Sequence, residues 1–279
     1  MVKLTMRSYF LNVLLLLTAA GSMGAFVVSK GIPENKGRTA QRTKTPVLVE
    51  LFTSEGCSSC PPADDLLAEI DRAHWIGNAE VIVLSEHVDY WNRLGWFDPF
   101  SNGQFSDRQE RYAVRFSQGG IYTPQMVVDG REALVGSDRI HAMRAIAEAA
   151  RHPKAIVTLA LAAHSQVKAG NLVDLTVQVE GFPAQGSGEV FLAVTESQLH
   201  SQVLAGENSG RRLNHTAVVR RLMALGSVEP GEHPFMASPE VLFEPGWKRE
   251  NVQAVAFVQE QGNRRIWGAA SLRLASTAP

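Results

Sequence analysis

The chain has 279 residues, 45% of them hydrophobic and 20% charged, with a formal net charge of −1 at pH 7. This is the composition of an ordinary globular protein, long enough for one large or two ordinary domains. Near-neutrality argues against a nucleic acid partner held by bulk charge, and a count of two cysteines excludes a disulfide-framework fold. Residues 1–28 read as a signal peptide or N-terminal membrane anchor: Lys3 and Arg7 precede an apolar stretch, and the small residues Ala19, Ala20, Gly21 and Ser22 follow it. Apolar character continues to Val28, so residues 9–28 are long enough to span a bilayer uncleaved. Either route places the rest outside the cytoplasm, periplasmic or extracellular. Residues 29–44, rich in Gly, Pro, Lys, Arg and Thr, predict a flexible linker.

Folded structure is expected from Thr45. A strand over 46–52, a helix over 63–74 and a short apolar strand over 80–84 imply a right-handed crossover in an α/β fold. A polar and aromatic insert, 85–118, contains a helical pattern at 107–116. Its charges, Asp107, Arg108, Glu110, Arg111 and Arg115, suggest a solvated face. A strand at 126–128, the hairpin signal Asp129-Gly130 and a partner at 133–135 follow. Ser137 is the expected N-cap of a helix to Ala150.

The stretch Glu50-Leu51-Phe52-Thr53-Ser54-Glu55-Gly56-Cys57-Ser58-Ser59-Cys60-Pro61-Pro62 joins the first strand to the first helix and holds both cysteines. A helix N-terminus favours a thiolate, and a second thiol one turn on can resolve a mixed disulfide. On this reading Cys57 is the exposed attacking thiol and Cys60 the more buried resolving one. Asp64 and Asp65 suit the helix dipole but oppose a nearby thiolate. Pro61, standing where a haem-attachment motif needs His, argues against c-type haem. A zinc site needs two histidines from elsewhere, and a structural disulfide closing so small a loop gives little stabilisation.

After His152-Pro153 the pattern changes to alternation, with strands expected at 156–162, 172–180, 190–196, 216–225, 252–259 and 264–272, and a long loop or irregular strand at 229–245. This predicts an all-β, sandwich-like domain over 153–279. The polar run 206–215 reads either as a loop touching the active site or a client, or as a hairpin loop satisfying its own polar groups.

His87 and Asp89 follow the second strand, where α/β sites gather. His87 is a candidate proton carrier for thiolate formation, or a histidine satisfied among Trp91 and Trp96. Glu55 is a candidate proton acceptor or a solvated acid. The aromatic cluster Tyr90, Trp91, Trp96, Phe97 and Phe100 reads as local core or as a client-binding surface. No phosphate loop, nucleophile elbow or zinc-protease motif is present.

The order strand, Cys-x-x-Cys, helix, strand, insert, Thr123-Pro124, hairpin, helix resembles a thioredoxin-like fold. That resemblance implies an α/β thioredoxin-like domain over 45–152, with the insert 85–118, ahead of the all-β domain. It also implies a cis Pro124 facing the cysteine pair and shaping a peptide-binding edge, with Thr123 beside it. More narrowly, residues 49–62, 87–91 and 121–130 resemble the DUF1223 family of secreted, uncharacterised proteins. The expected activity is extracytoplasmic thiol–disulfide exchange with protein thiols and disulfides and an unidentified redox partner, with no cofactor and no metal. Two alternatives are a binding protein with an inert disulfide and a copper-handling protein using Cys57, Cys60 and His87 or Met126.

Overall fold

The computed structural model of the protein describes residues 44–162, 172–183, 186–231 and 233–274. The predicted export segment and the predicted linker up to residue 43 lie outside the described residues. Among the described residues no helix is long and apolar enough to cross a membrane.

Side-chain alternation along the first strand, β1 (Thr45–Thr53), sets the layering. Val47, Val49 and Leu51 point into one core, Leu48 and Phe52 into another, as period-two geometry requires of a strand buried on both faces. There follow α1 (Pro61–Ala73), β2 (Trp75–Ile76), β3 (Ala79–His87), α2 (Gly103–Arg115), β4 (Gln125–Val128), β5 (Glu132–Val135) and α3 (Arg139–Ala149). β3 runs parallel to β1, from Thr45↔Ala79 to Thr53↔His87, and β4 pairs antiparallel with β1. Leu66, Leu67 and Ile70 of α1 and Ala142, Ala145 and Ile146 of α3 cover the Val47 face. The N-cap of α3 is Asp138 rather than the expected Ser137; its carboxylate accepts the His141 N–H at 3.0 Å. A carboxylate there also meets the positive end of the helix.

The second half is built from strands: β6 (Ile156–Leu161), β7 (Leu172–Glu180), β8 (Gly188–Glu196), β9 (Leu199–Gln202), β10 (Arg212–His215), β11 (Val218–Val228), β12 (Phe235–Ala237), β13 (Glu240–Leu242), β14 (Val252–Glu260) and β15 (Ile266–Arg273). The β9–β10 hairpin is not foreseen by the alternation, and β12 and β13, three residues each, fall in the stretch read as a long loop or irregular strand.

The expected fold class, a thioredoxin-like α/β domain followed by an all-β one, is overturned. The protein is mostly β, and nine strands form one mixed sheet, β15-β14-β8-β11-β3-β1-β4-β5 with β2 on β3. β11, from the second half, runs parallel to β3 at Val218↔Ser85, where the Ser85 N–H donates to Ala217 O at 2.8 Å. The sheet curls so that Val255, Phe257, Ile266 and Ala269 of β14 and β15 pack with Leu48, Phe52, Ile82 and Leu84 of β1 and β3. The other face of β8 and β14 (Val190, Leu192, Val194, Val252, Ala254, Ala256, Val258) packs on β7 of a smaller sheet. Alternation reports which faces of a strand are buried but not which strand it joins, and here it was silent on the β11–β3 junction. Each fully buried aromatic such as Phe257 contributes roughly 1.5–3 kcal/mol by leaving water.

Charge is also buried between the two arms of the sheet. Arg108 of α2, read from sequence as part of a solvated face, is 3% exposed. Its Nε donates to Glu50 Oε1 at 2.6 Å and its Nη1 to Gln259 Oε1 at 3.0 Å, while the Tyr112 hydroxyl donates to Glu50 Oε2 at 2.5 Å. Burial, together with the Glu50 charge, pushes the Glu86 carboxyl well above the usual carboxylate range. Arg108 therefore pairs most closely with Glu50, while Glu86, 3.5 Å from Arg108 Nε, is disfavoured as a charge.

Candidate functional site

β1 ends at Thr53, and the chain turns before α1 begins. The Gly56 N–H donates to Ser54 Oγ at 3.1 Å, the Cys57 N–H to Ser54 O at 3.2 Å and the Cys60 N–H to Cys57 O at 3.2 Å. These turns bring the two cysteines to a Cα–Cα distance of 5.4 Å, and they form a disulfide. Cys60 is the N-cap of α1, with Pro61 and Pro62 next. Proline has no N–H, and the N–H groups of Ala63 and Asp64 are both spent on Cys60 O, at 2.8 and 3.1 Å. The amides that a helix N-terminus usually aims at an anion are thus absent or occupied, which leaves the dipole alone to favour a thiolate. The hydroxyl of Ser59 lies 3.3 Å from Cys57 Sγ.

Both cysteines are 0% exposed, whereas Cys57 was expected to be exposed. The loop 203–211 between β9 and β10 is fastened to the turn that carries them. Asn208, itself buried, donates from Nδ2 to the backbone carbonyls of Glu55 at 2.8 Å and Cys57 at 2.9 Å. Its Oδ1 accepts from Arg211 Nη1 at 2.8 Å. Glu207 Oε2 accepts the Ser58 N–H at 3.0 Å, and its carboxyl is held below the usual range by the Ser58 hydroxyl and N–H. Gly206 packs against Trp96, so close that a Cβ there would lie 3.2 Å from the Trp96 Cβ. Trp91 lies against Gly56, and its Nε1–H donates to Thr123 Oγ1 at 2.8 Å. The Thr123-Pro124 bond is cis. Gly136 fills the space beside Pro124, where a Cβ would come within 3.0 Å of the Pro124 and Ala63 Cβ atoms.

Next to the pair lies a buried polar group. Glu55, 1% exposed, accepts Trp96 Nε1–H on Oε2 at 2.7 Å and lies 3.0 Å from His215 Nε2 through Oε1. Asp98 Oδ2 accepts the Glu55 N–H at 2.8 Å and lies 2.7 Å from His87 Nδ1. Burial raises the Asp98 carboxyl, but His87 and the N–H groups of Glu55 and Phe100 outweigh it and hold the group below its ordinary value. The His87 and His215 rings meet edge to face, centroids 4.9 Å apart, with Phe100 against both. Four buried atoms have no hydrogen-bond partner here: Thr53 Oγ1, Asp64 Oδ1, His87 Nε2 and His215 Nδ1. Burial pushes the Asp64 carboxyl up to about 7, the largest opposing influence being that of His215.

A family model described as protein of unknown function (DUF1223) matches residues 48–259, a span that holds the cysteine pair, the aromatic insert, the cis proline and the loop 203–211. The chain belongs to the DUF1223 family. Its fold is similar to protein AGR_C_4864 from Agrobacterium tumefaciens at 23% identity and a TM-score of 0.65, covering 85% of this chain and 97% of that one. It is also similar to HBP35 of Porphyromonas gingivalis at 17% identity and a TM-score of 0.56, covering 85% and 77%. No curated protein matches.

In this DUF1223 protein Cys57, Cys60 and Glu55 share one loop, His87 reaches that loop through Asp98, and Thr123 reaches it through Trp91. Glu55 and His87 are buried and hydrogen-bonded. Met126 is buried in the α1–α3 core with Leu51 and Ala63, on the face of β4 away from Val127. Among the described residues no group of three or more His, Cys, Asp and Glu side chains is placed to hold a metal ion. Sequence reasoning missed Trp96 as a ligand of Glu55, Asp98, and the contributions of Asn208 and His215. The polar run 206–215 was the one signal for the last two; Asp98, inside an aromatic insert, carried none. Phe97 and Leu204, 72% and 74% exposed, flank the 203–211 loop's contact with Trp96.

Proposed function

We propose that this DUF1223 protein is an extracytoplasmic thiol–disulfide oxidoreductase whose Cys57–Cys60 pair works beneath an opening loop. The supporting observation is the setting of the disulfide, which lies at the start of α1, the helix whose first turn carries an acid, Asp64, raised to about 7. Buried acids and histidines cost stability, and their gathering beside the disulfide fits a site that moves protons.

In the reduced protein the Cys57 thiolate attacks a client disulfide. A Cys57–client bond forms, the client bond breaks, and the departing client sulfur takes a proton. The Cys60 thiol then loses its proton and attacks Cys57 Sγ, forming the Cys57–Cys60 bond and releasing the second client thiolate. Two electrons pass from the protein to the client, and a separate redox partner restores the dithiol. The reverse sequence oxidises a client dithiol. Pro124 and Thr123 border the site, Glu55 and His87 serve its proton traffic, and no cofactor takes part. Residues 1–28 deliver the protein to the periplasm or the exterior, as a cleaved signal or an anchor.

Exchange with a model disulfide peptide is expected to vanish in Cys57→Ser and to stop at a trapped mixed disulfide in Cys60→Ser. Absence of both effects contradicts the proposal. A second reading, a binding protein with an inert disulfide, draws on the complete burial of both cysteines. It predicts no exchange above that of a denatured control.

A further inference from the structure

Both cysteines are buried in the disulfide form, and Cys60 must lose its proton to resolve a mixed disulfide while Cys57 carries the client beneath the opened loop. Among the polar side chains gathered beside them, His215 alone also lines a polar groove, about 870 Å³ in volume, between α1 and the β8–β9, β10–β11 and β14–β15 segments. We infer that His215 is a positioning residue for the exchange reaction, a proton carrier linking the Cys57–Cys60 loop, by way of Glu55 and Asp64, to this groove. The inference rests on the oxidoreductase reading and deepens it.

The imidazole has two nitrogens with different surroundings. Nε2 is anchored 3.0 Å from Glu55 Oε1, and Glu55 is two residues before Cys57. Nδ1 is buried and unpartnered, as is Oδ1 of Asp64 on the neighbouring helix α1. One nitrogen bound to a carboxylate and the other free is the arrangement that fixes a tautomer and leaves a lone pair to accept a proton. The groups facing His215 are Glu55 from the loop after β1, Asp64 from α1, and His87 with its partner Asp98. Phe100 separates it from Arg220 of β11. Across the groove stand Asp65, Asp71, Glu80 and Glu250, with Arg72, His74 and Arg273 among them. A proton on His215 therefore has carboxylates on both sides to receive it. The proton leaving Cys60 passes into this group as the Cys60 electron pair forms the new S–S bond, and it exits at the groove.

The test is the pH profile of exchange with oxidised glutathione for wild type and His215→Gln. Glutamine keeps a donor to Glu55 where Nε2 stood but carries no proton. The expected result is a roughly 10²-fold loss of rate around neutrality that shrinks at alkaline pH, where the Cys60 thiol ionises unaided, with the lower inflection of the pH profile removed, near-native thermal unfolding, and partial rescue by added imidazole. An unchanged pH profile, or a uniform loss at every pH without rescue, overturns the relay while leaving the oxidoreductase reading intact. A wild-type protein that exchanges at no pH overturns both.

Discussion

The side-chain amide of Asn208 holds the backbone carbonyl of Cys57 at 2.9 Å and that of Glu55 at 2.8 Å, so a residue 151 positions downstream fastens the loop that carries the disulfide. Together with the Glu207–Ser58 contact this fastens the 203–211 loop to the cysteine turn, and the proposed function requires that loop to open before a client reaches the pair. Asn208→Ala removes three hydrogen bonds, two donated to the Glu55 and Cys57 carbonyls and one accepted from Arg211, about 1.5–4.5 kcal/mol in sum. Reduction of the native disulfide by dithiothreitol is expected to quicken roughly tenfold or more at temperatures where the variant is fully folded, alongside a melting temperature lower by several degrees. An unchanged rate means that the loop does not gate access.

Asp64 makes stability depend on pH in a direction opposite to that of a salt-bridged acid. Its folded value of about 7 lies above the unfolded 3.8, so folding favours the protonated form. The contribution is fully present below 3.8 and is lost as pH rises through about 7. Urea midpoints should fall between about pH 4 and pH 7, and Asp64→Asn should flatten that fall and raise the midpoint at about pH 8. Glu86, shifted in the same direction, leaves a residual slope.

Within the Glu50–Glu86–Arg108 cluster the partners are not equivalent. Arg108→Met leaves the Glu50 charge buried without its cation, at a cost of roughly 3–5 kcal/mol. Glu86→Gln replaces a carboxyl whose charged form burial and Glu50 already disfavour, and should change stability by less than about 1 kcal/mol at pH 7. Chemical denaturation of the two variants tests this asymmetry, and equal losses would contradict it.

Gly130 sits at φ +59° in the β4–β5 turn, and a Cβ there would lie 1.9 Å from the carbonyl oxygen of Arg264. Neither backbone gives way cheaply, so Gly130→Ala should cost roughly 2–4 kcal/mol from strain and overlap. A Tm within a degree or two of wild type would show that the two turns are free to separate.

Much of the first half was legible because its signals are local. The Cys-x-x-Cys stretch, Pro61-Pro62 at a helix start, Asp129-Gly130 at a hairpin and the alternation of Val47 to Phe52 each act over a few residues. Strands β6 to β8, β11, β14 and β15 were legible for the same reason. The single sheet was not, because its junction rests on Ser85 and Val218, 133 positions apart. The site was half legible. Cys57, Cys60, Glu55 and His87 lie near one another in sequence or at the ends of neighbouring strands, while His215 and Asn208 arrive through the β9–β10 hairpin. Cys57 lies in a turn fastened by that same hairpin, so the local reading of an exposed thiol failed where a distant segment binds the turn.

The most direct test of redox function is the reduction potential of Cys57–Cys60, obtained by equilibrating the folded protein with thiol buffers and trapping free thiols. The oxidoreductase account predicts a value between about −120 and −270 mV, the range of exchange enzymes. A value below about −300 mV, that of a resistant structural disulfide, would contradict it.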